Sequence, residues 1–431
     1  MKDEFMLTKI LHAQTKNITF AAFILGAASL FSALLGLFRD RLLASGFGAG
    51  ETLDVYYAAF RIPDFVAMVL IMGAISAAIV PIFSQYLTRS QKEAWKFLSN
   101  LLNLFLVFLI IVLIFLVIFT PQLIGLIAPG FSGEKKELAV LLTRIMFLSP
   151  ILLGISNIIT SVLQVFRRFL ITALAPIMYN FGIIAGILFF VPRIGIQGLA
   201  WGVVLGGVLH LLIQVPLFLK VGFKPEKIFN WKEPGFREVI KLTIPRSIGL
   251  ATIQINLIIV TAIASTLATG SIAIFSLAEN LSRPLYTFFA VSFSTAAFPT
   301  LSLAFSKKAR EKFNQVFLMT FRRILLFTLP AGIILFIFRG FFVKIILQAG
   351  KFGSFDASLT AACFGLFCLG IFAEGLTLLL AKAFYALHDT KTPTLLSIFD
   401  LFLTLILCLV FIKFFSEPNY FRQFFADFLG I

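Results

Sequence analysis

The sequence predicts an all-α, polytopic transmembrane helical bundle, and three observations carry that prediction. Sixty per cent of the residues are hydrophobic and 13% are charged, with a mean hydropathy of +1.02, which excludes an ordinary soluble domain. The apolar residues gather into about eleven runs long enough to cross a bilayer, which takes roughly 20 residues each. The chain also repeats itself at a shift of 218–221 residues. A formal net charge of +16 would suit a nucleic-acid partner, but Lys and Arg lie mostly in short loops between apolar runs, so membrane topology explains them and no nucleic acid is expected.

Taken in order, the runs lie near 18–38, 55–87, 97–120, 138–166, 170–191, 196–219, 238–268, 272–304, 316–338, 357–387 and 393–415. Several are longer than a single span needs, so tilt or an internal break is expected, and Pro63, Pro81, Pro150, Pro245, Pro284 and Pro299 supply places for breaks. The N-terminal residues are mixed in charge and lack a signal-type apolar core or cleavage site, so the first run is expected to stay in the mature protein. With the N-terminus in the cytoplasm, the loops on that side carry 21 Lys and Arg, beginning with Lys2, Lys9 and Lys16, and the opposite loops carry ten. That asymmetry predicts a multi-pass protein of the cell membrane with its N-terminus inside.

The repeat sets GAISAAIVP (73–81) against VSFSTAAFP (291–299) and IGLIAPGF (124–131) against KIILQAGKF (344–352). An even number of spans per unit makes the two repeats parallel, with a binding site expected in a central cavity at their interface. The expected organisation is an N-terminal transmembrane half over 1–222, a cytoplasmic linker over 223–237 and a C-terminal half over 238–431. A sixth span of the second half would begin near 417, and the sequence ends at Ile431, so the second repeat is expected to lack its last helix.

The most informative stretch is 36–86, which places Arg39, Asp40, Arg41, Asp54, Arg61 and Asp64 in strongly apolar surroundings, with Gly46, Gly48, Gly50 and Pro63 among them. Charge and broken backbone at membrane depth are tolerated where they face protein or a water-filled cavity. Enzymatic chemistry is not expected. His12, His210 and His388 are scattered without a second ligand at helical spacing, Asp389 beside His388 reads as a turn residue, and no Walker or acid-rich metal motif is present. Cys363, Cys368 and Cys408 lie in apolar runs without metal-ligand spacing, so neither a metal nor a cofactor is expected. A binding cavity is better supported. Arg39, Asp40, Asp54, Arg61, Arg246, Glu279 and Arg283 are its expected charged residues, with Arg144, Glu374, Lys382 and Asp400 as further charges in the apolar runs. Asn180, Gln254, Asn256 and Asn280 would add neutral hydrogen bonds. Arg246 follows Pro245 and Arg283 precedes Pro284, so both are expected at helix breaks, and guanidinium groups match phosphate oxygens bidentately. Arg39, Arg246 and Arg283 are expected to line one cavity.

GLFRD, FGAG with Asp54 four residues on, AFRIP, GAISAAIVP, APGF (128–131), QAGKFGSFD (348–356) and FYALHDTKTP (384–393) appear in this order over residues 18–415. In order and spacing the chain resembles the lipid II flippase family of the multidrug/oligosaccharidyl-lipid/polysaccharide exporter superfamily. The resemblance implies alternating-access transport of an undecaprenyl-diphosphate-linked peptidoglycan precursor across the inner membrane. Its implied partners are the lipid-linked diphosphate-sugar substrate, membrane lipids and cell-wall synthesis proteins. It places Arg39, Asp40 and Asp54 at the cavity mouth and Arg61 at a basic position before the family's proline. The chain departs from the family at Ala33, Ala67, Met68 and Met72, where charges are usual, and at Glu279-Asn280-Leu281-Ser282-Arg283, which shifts a positive charge by three residues. A different lipid-linked oligosaccharide as cargo, or a non-transporting scaffold for cell-wall assembly, are the alternatives these departures leave open.

Overall fold

The computed structural model describes residues 18–72, 75–416, 418 and 420–429. Lys2, Lys9, His12 and Lys16, and Gly73 and Ala74 of the repeat motif, lie outside them. Nine stretches among the described residues are helices long and apolar enough to cross a membrane. The first two sequence runs fall on α1 (Ile18–Phe47) and on α2 (Glu51–Val66), which continues through a π-helical segment, Ala67–Met72, to α3 (Ile75–Arg89). By contacts the chain forms two compact units. One comprises the described residues up to Arg39 with Val55–Thr266, and the other comprises Asp40–Asp54 with Leu267–Ile431.

The first unit continues with α4 (Gln91–Ile118), the short α5 (Thr120–Ile127), α6 (Gly133–Met146), α7 (Leu148–Val165) and α8 (Phe169–Ala185). A second π-helical segment, Gly186–Phe190, leads to α9 (Val191–Ile194), α10 (Gln197–Leu212) and α11 (Val215–Lys220). Helices α8 and α10 pack backbone to backbone. A Cβ on Gly182 would overlap Gly206 and one on Gly186 would overlap Gly202, so small residues at four-residue spacing set this contact. The segment expected as a linker is fastened to α4: Asn100 and Asn230 exchange hydrogen bonds, and Asn103 donates to the carbonyls of Glu226 and Ile228. Glu233 then caps α12 (Pro234–Ser265), accepting from the Phe236 amide at 2.8 Å and from the Tyr86 hydroxyl.

Helix α12 packs with the first unit although it follows the predicted linker. The prediction of a break at Pro245 is corrected here, because α12 runs through it as one helix of 32 residues. Pro63 likewise sits inside α2. A helical proline leaves the carbonyl four residues back without its amide partner. At Pro63 that carbonyl belongs to Ala59, and the Thr143 hydroxyl donates to it at 3.2 Å. The freed backbone group is therefore satisfied by a neighbouring helix, and the chain has no need to unwind.

The second unit contains α13 (Ser271–Leu285), the π-helical segment Tyr286–Val291, α14 (Ser292–Ser306), α15 (Arg310–Ile337), α16 (Arg339–Leu347), the 33-residue α17 (Ser354–Ala386), α18 (Lys391–Ser416) and α19 (Tyr420–Leu429). Its π-helical segment, beginning at Tyr286, is the counterpart of the one that begins at Ala67 after α2, and their separation falls within the repeat shift read from sequence. Asp389 caps α18, accepting from the Thr392 hydroxyl and from the Thr392 and Lys391 amides, and these bonds hold its carboxyl below the usual range.

The two units contain a matched exchange. In the first, a Cβ on Gly130 would overlap the Ser265 carbonyl at the end of α12, and the Gly130 amide donates to the Ser265 hydroxyl at 3.1 Å. In the second, a Cβ on Gly350 would overlap the Ser45 carbonyl near the end of α1, which accepts from the Lys351 amide at 2.8 Å. Gly130 and Gly350 are as far apart in sequence as Ser45 and Ser265, a separation within the repeat shift read from sequence. Each unit thus closes its glycine turn with the end of the other repeat's first helix.

Candidate functional site

In the first unit, polar side chains converge from α1, α2, α8 and α12. Arg39 Nη1 donates to Asn180 Oδ1 at 3.3 Å, and Asn180 donates from its amide nitrogen to Ser32 Oγ at 3.2 Å. The neighbouring Tyr179 lies within the fields of Arg39, Asp64 and Tyr56, and hydrogen bonds to Ser149. Arg61 and Asp64 are one turn apart on α2, so they share a face. Arg61 Nε donates to Thr261 Oγ1 at 2.8 Å, and Gln254 Nε2 donates to Asp64 Oδ2 at 3.4 Å. Ser247 donates to the Val69 carbonyl in the π-helical segment at 2.9 Å. Ser247, Gln254 and Thr261 recur at seven-residue spacing, which makes one polar stripe along α12. Arg246, one residue away from that stripe, is exposed on the unbroken helix.

The second unit holds a different constellation. Arg283 bridges two carboxylates, with Nη2 at 2.6 Å from Glu279 Oε1 and Nη1 at 3.1 Å from Glu374 Oε1. Its guanidinium also stands 5.9 Å from the Tyr286 ring centroid. Glu279 is buried, Arg283 and Glu374 are partly open to their surroundings, and Asn280 on the same helix is half-buried. The π-helical segment starts three residues after Arg283, so the irregular backbone expected beside Pro284 is present. Lys382 Nζ donates to Thr295 Oγ1 at 2.6 Å on the next helix.

Segment 40–54 is built into this unit. Asp54 is 3% exposed, and its two oxygens accept from the amides of Gly270 at 2.7 Å and Ala273 at 3.0 Å, at the start of α13. It works as an N-cap supplied from another helix, where a carboxylate also suits the helix dipole. Arg41 donates to the Ile345 and Ile346 carbonyls that end α16, and Asp356 accepts from the Ala49 amide at 3.2 Å. Asp40 is 2% exposed in the same segment.

Arg39, Arg61 and Arg246 therefore belong to the first unit, and Asp40, Asp54, Glu279, Asn280 and Arg283 to the second. The structure brings Arg39 to Asn180 and Glu279 to Arg283. It adds Asp64, Tyr179 and Thr261, which sequence reasoning had not chosen as site residues. Their available signals were the three-residue Arg61–Asp64 spacing and the seven-residue stripe on α12.

A family model described as lipid II flippase MurJ matches residues 43–417. The chain belongs to the MurJ lipid II flippase family. A family member from Buchnera aphidicola subsp. Schizaphis graminum, described as a probable lipid II flippase MurJ, is 31% identical over 90% of this chain and 76% of its own length. The lipid II flippase MurJ of Burkholderia cenocepacia is 29% identical over 92% of this chain and 78% of its own. The solved structure of a lipid II flippase MurJ in an inward closed conformation superposes with a TM-score of 0.78 at 28% identity, covering 90% of this chain and 81% of that one. An inward-facing MATE transporter of the MOP superfamily superposes at 0.69 with 17% identity over 90% of this chain and 88% of that one, a likeness of fold. Membership makes this a multi-pass transporter of the inner membrane, in a family of flippases rather than of enzymes.

Proposed function

We propose that the chain carries lipid II, a diphosphate-linked lipid, across the cytoplasmic membrane by alternating access, with Arg39 and Arg61 of the first unit holding the diphosphate. The family match over 43–417 carries this reading. Arg39 and Arg61 support its placement, because both lie in an apolar helix bundle among polar side chains, Arg39 donating to Asn180 and Arg61 to Thr261. Arginine offers five donors in a planar fork, and a diphosphate presents the matching oxygens. A hydrated headgroup cannot enter hydrocarbon unaided, since each unpaired polar group costs several kcal/mol there. Asn180 and Gln254 supply neutral contacts to sugar or peptide. Arg283 with Glu279 and Asn280 forms a second polar surface, and Arg246 adds positive charge on α12. Asp54 serves by shaping the corner that starts α13, and Asp40 is buried in the same segment. A membrane potential of 100 mV is worth about 2.3 kcal/mol per charge moved, enough to bias such a cycle without ATP.

The decisive experiment is depletion of the resident lipid II flippase in a bacterium that expresses this chain. Growth and restored precursor at the outer leaflet are expected, and lysis despite normal membrane levels of the chain would end the proposal. The reading also sets the N-terminus in the cytoplasm and cell-wall synthesis proteins nearby. Gln91→Cys, Lys227→Cys and Lys308→Cys, made singly in a cysteine-free background, should resist an impermeant thiol reagent in intact cells. Prompt labelling of all three would reverse the orientation.

A further inference from the structure

We propose that each unit holds the phosphate of an anionic phospholipid headgroup in a basic notch at the end of one 28-residue span. Helices α4 and α15 are 28 residues each, about 42 Å at 1.5 Å per residue, against a hydrocarbon core of about 30 Å. Their ends therefore reach the interface where headgroups lie. The ends, Ile118 and Ile337, are equivalent under the repeat, and each is followed by a short helix, α5 or α16.

The last carbonyls of a helix need donors from outside it. In the first unit Arg144 Nε donates to the Val117 carbonyl at 3.3 Å, and in the second Arg339 Nη1 donates to the Phe336 carbonyl at 2.9 Å. Those carbonyls are repeat equivalents, related by the same shift as the helix ends, but the arginines are not. One comes from α6 and the other from the start of α16. Two unrelated sequence solutions thus put a guanidinium at the same place in each repeat.

A shallow, open hollow lies beside each. That of the first unit measures about 280 Å³ and is lined by Lys136, Glu137, Val140, Leu141 and Arg144. That of the second measures about 260 Å³ and is lined by Arg339, Lys344, Ser358, Ala361 and Leu429. Helix capping alone needs neither a hollow nor the second cation, Lys136 or Lys344, that each contains. Lys136 lies across α5 over Gly125, where a side chain would crowd its Nζ at 3.3 Å. Arg339 donates three bonds to the carbonyls of Phe336, Phe428 and Leu429, which leaves two of its five donors for a ligand. A phosphodiester offers two charged oxygens to a guanidinium and an ammonium, and its acyl chains suit the apolar part of the lining. Glu137 opposes an anion in the first hollow, so the second binds more tightly.

The test uses the full chain in mild detergent, titrated with phosphatidylglycerol and followed by native mass spectrometry. Two retained lipids are expected. Arg339→Gln with Lys344→Gln should weaken the tighter one about thirtyfold, at roughly 1 kcal/mol for each cation, and Lys136→Gln with Arg144→Gln the weaker one similarly. Glu137→Gln should tighten the weaker site, a gain that a merely structural role would not give. Phosphatidylcholine should bind far less, and excess inorganic phosphate should not displace phosphatidylglycerol. Should a double variant fail to fold, Lys136→Gln and Lys344→Gln alone spare the helix caps and should each cost about fivefold. Unchanged lipid retention in the variants, or equal retention of phosphatidylcholine, overturns the proposal. Displacement by inorganic phosphate overturns its lipid form.

Discussion

Arg61 and Arg283 both stand shortly before a π-helical segment, and the bonds described around them differ. Arg61 reaches a threonine hydroxyl on α12, and the acid one turn away, Asp64, is engaged by Gln254. Arg283 is clasped by Glu279 and Glu374, so its positive charge is outnumbered where it sits. At Arg61 the proposed further ligand is an incoming anion. An arginine held between two carboxylates has its field cancelled locally, and its removal leaves the acids facing each other. The two centres should therefore fail in different ways when mutated.

The largest effect is expected at the first centre. Arg39→Ala with Arg61→Ala should weaken binding of a lipid-linked diphosphate sugar by about a hundredfold or more, since each hydrogen bond to a charged group is worth about 1.5–3 kcal/mol. Membrane abundance should stay near normal, and the two Lys variants should fall between, keeping charge but losing the fork. Binding to purified protein beside immunoblots of membranes checks this, and undiminished binding would move the site elsewhere. Next comes Arg283→Ala, expected to lower abundance and thermal stability by about 2–3 kcal/mol, below the 3–5 of a fully buried pair because two of its three groups are partly open. Glu279→Gln added to it should restore the protein. Normal abundance with lost substrate binding would instead make Arg283 a ligand-holding residue like Arg61.

Asp54→Ala should destabilise by about 1–2 kcal/mol through loss of the cap on α13, with Asn at the same position losing less. Thermal unfolding in detergent measures it, and a variant that unfolds normally but no longer binds substrate would put Asp54 back in the cavity. The smallest change is expected for Arg246→Gln, within about 0.5 kcal/mol in stability. Its substrate affinity should fall less than that of any other arginine variant. An effect as large as that of Arg61→Ala would place an exposed residue of an unbroken helix at the substrate.

The helical membrane fold was legible because hydrophobic runs are local signals. The roles of the charges were not, because a side chain's partner can lie far along the chain, in the other repeat. Asp54 and Arg39 look alike in sequence, both being ions near glycines in an apolar stretch. Only the fold brings two backbone amides of α13 to one and the Asn180 side chain to the other. Pro245 misled for a related reason. A proline removes one hydrogen bond, and whether the helix then breaks depends on neighbours, as the Thr143 hydroxyl shows at the Ala59 carbonyl below Pro63.

The reciprocal closure of Gly130 by Ser265 and of Gly350 by Ser45 also bears on how the protein is made. While the ribosome has delivered only the first half, the turn at Gly130 lacks the serine that fits it, and the end of α1 has no counterpart to receive it. Neither repeat finishes its own packing alone: the first turn is closed when α12 is made, and the end of α1 only when Gly350 follows.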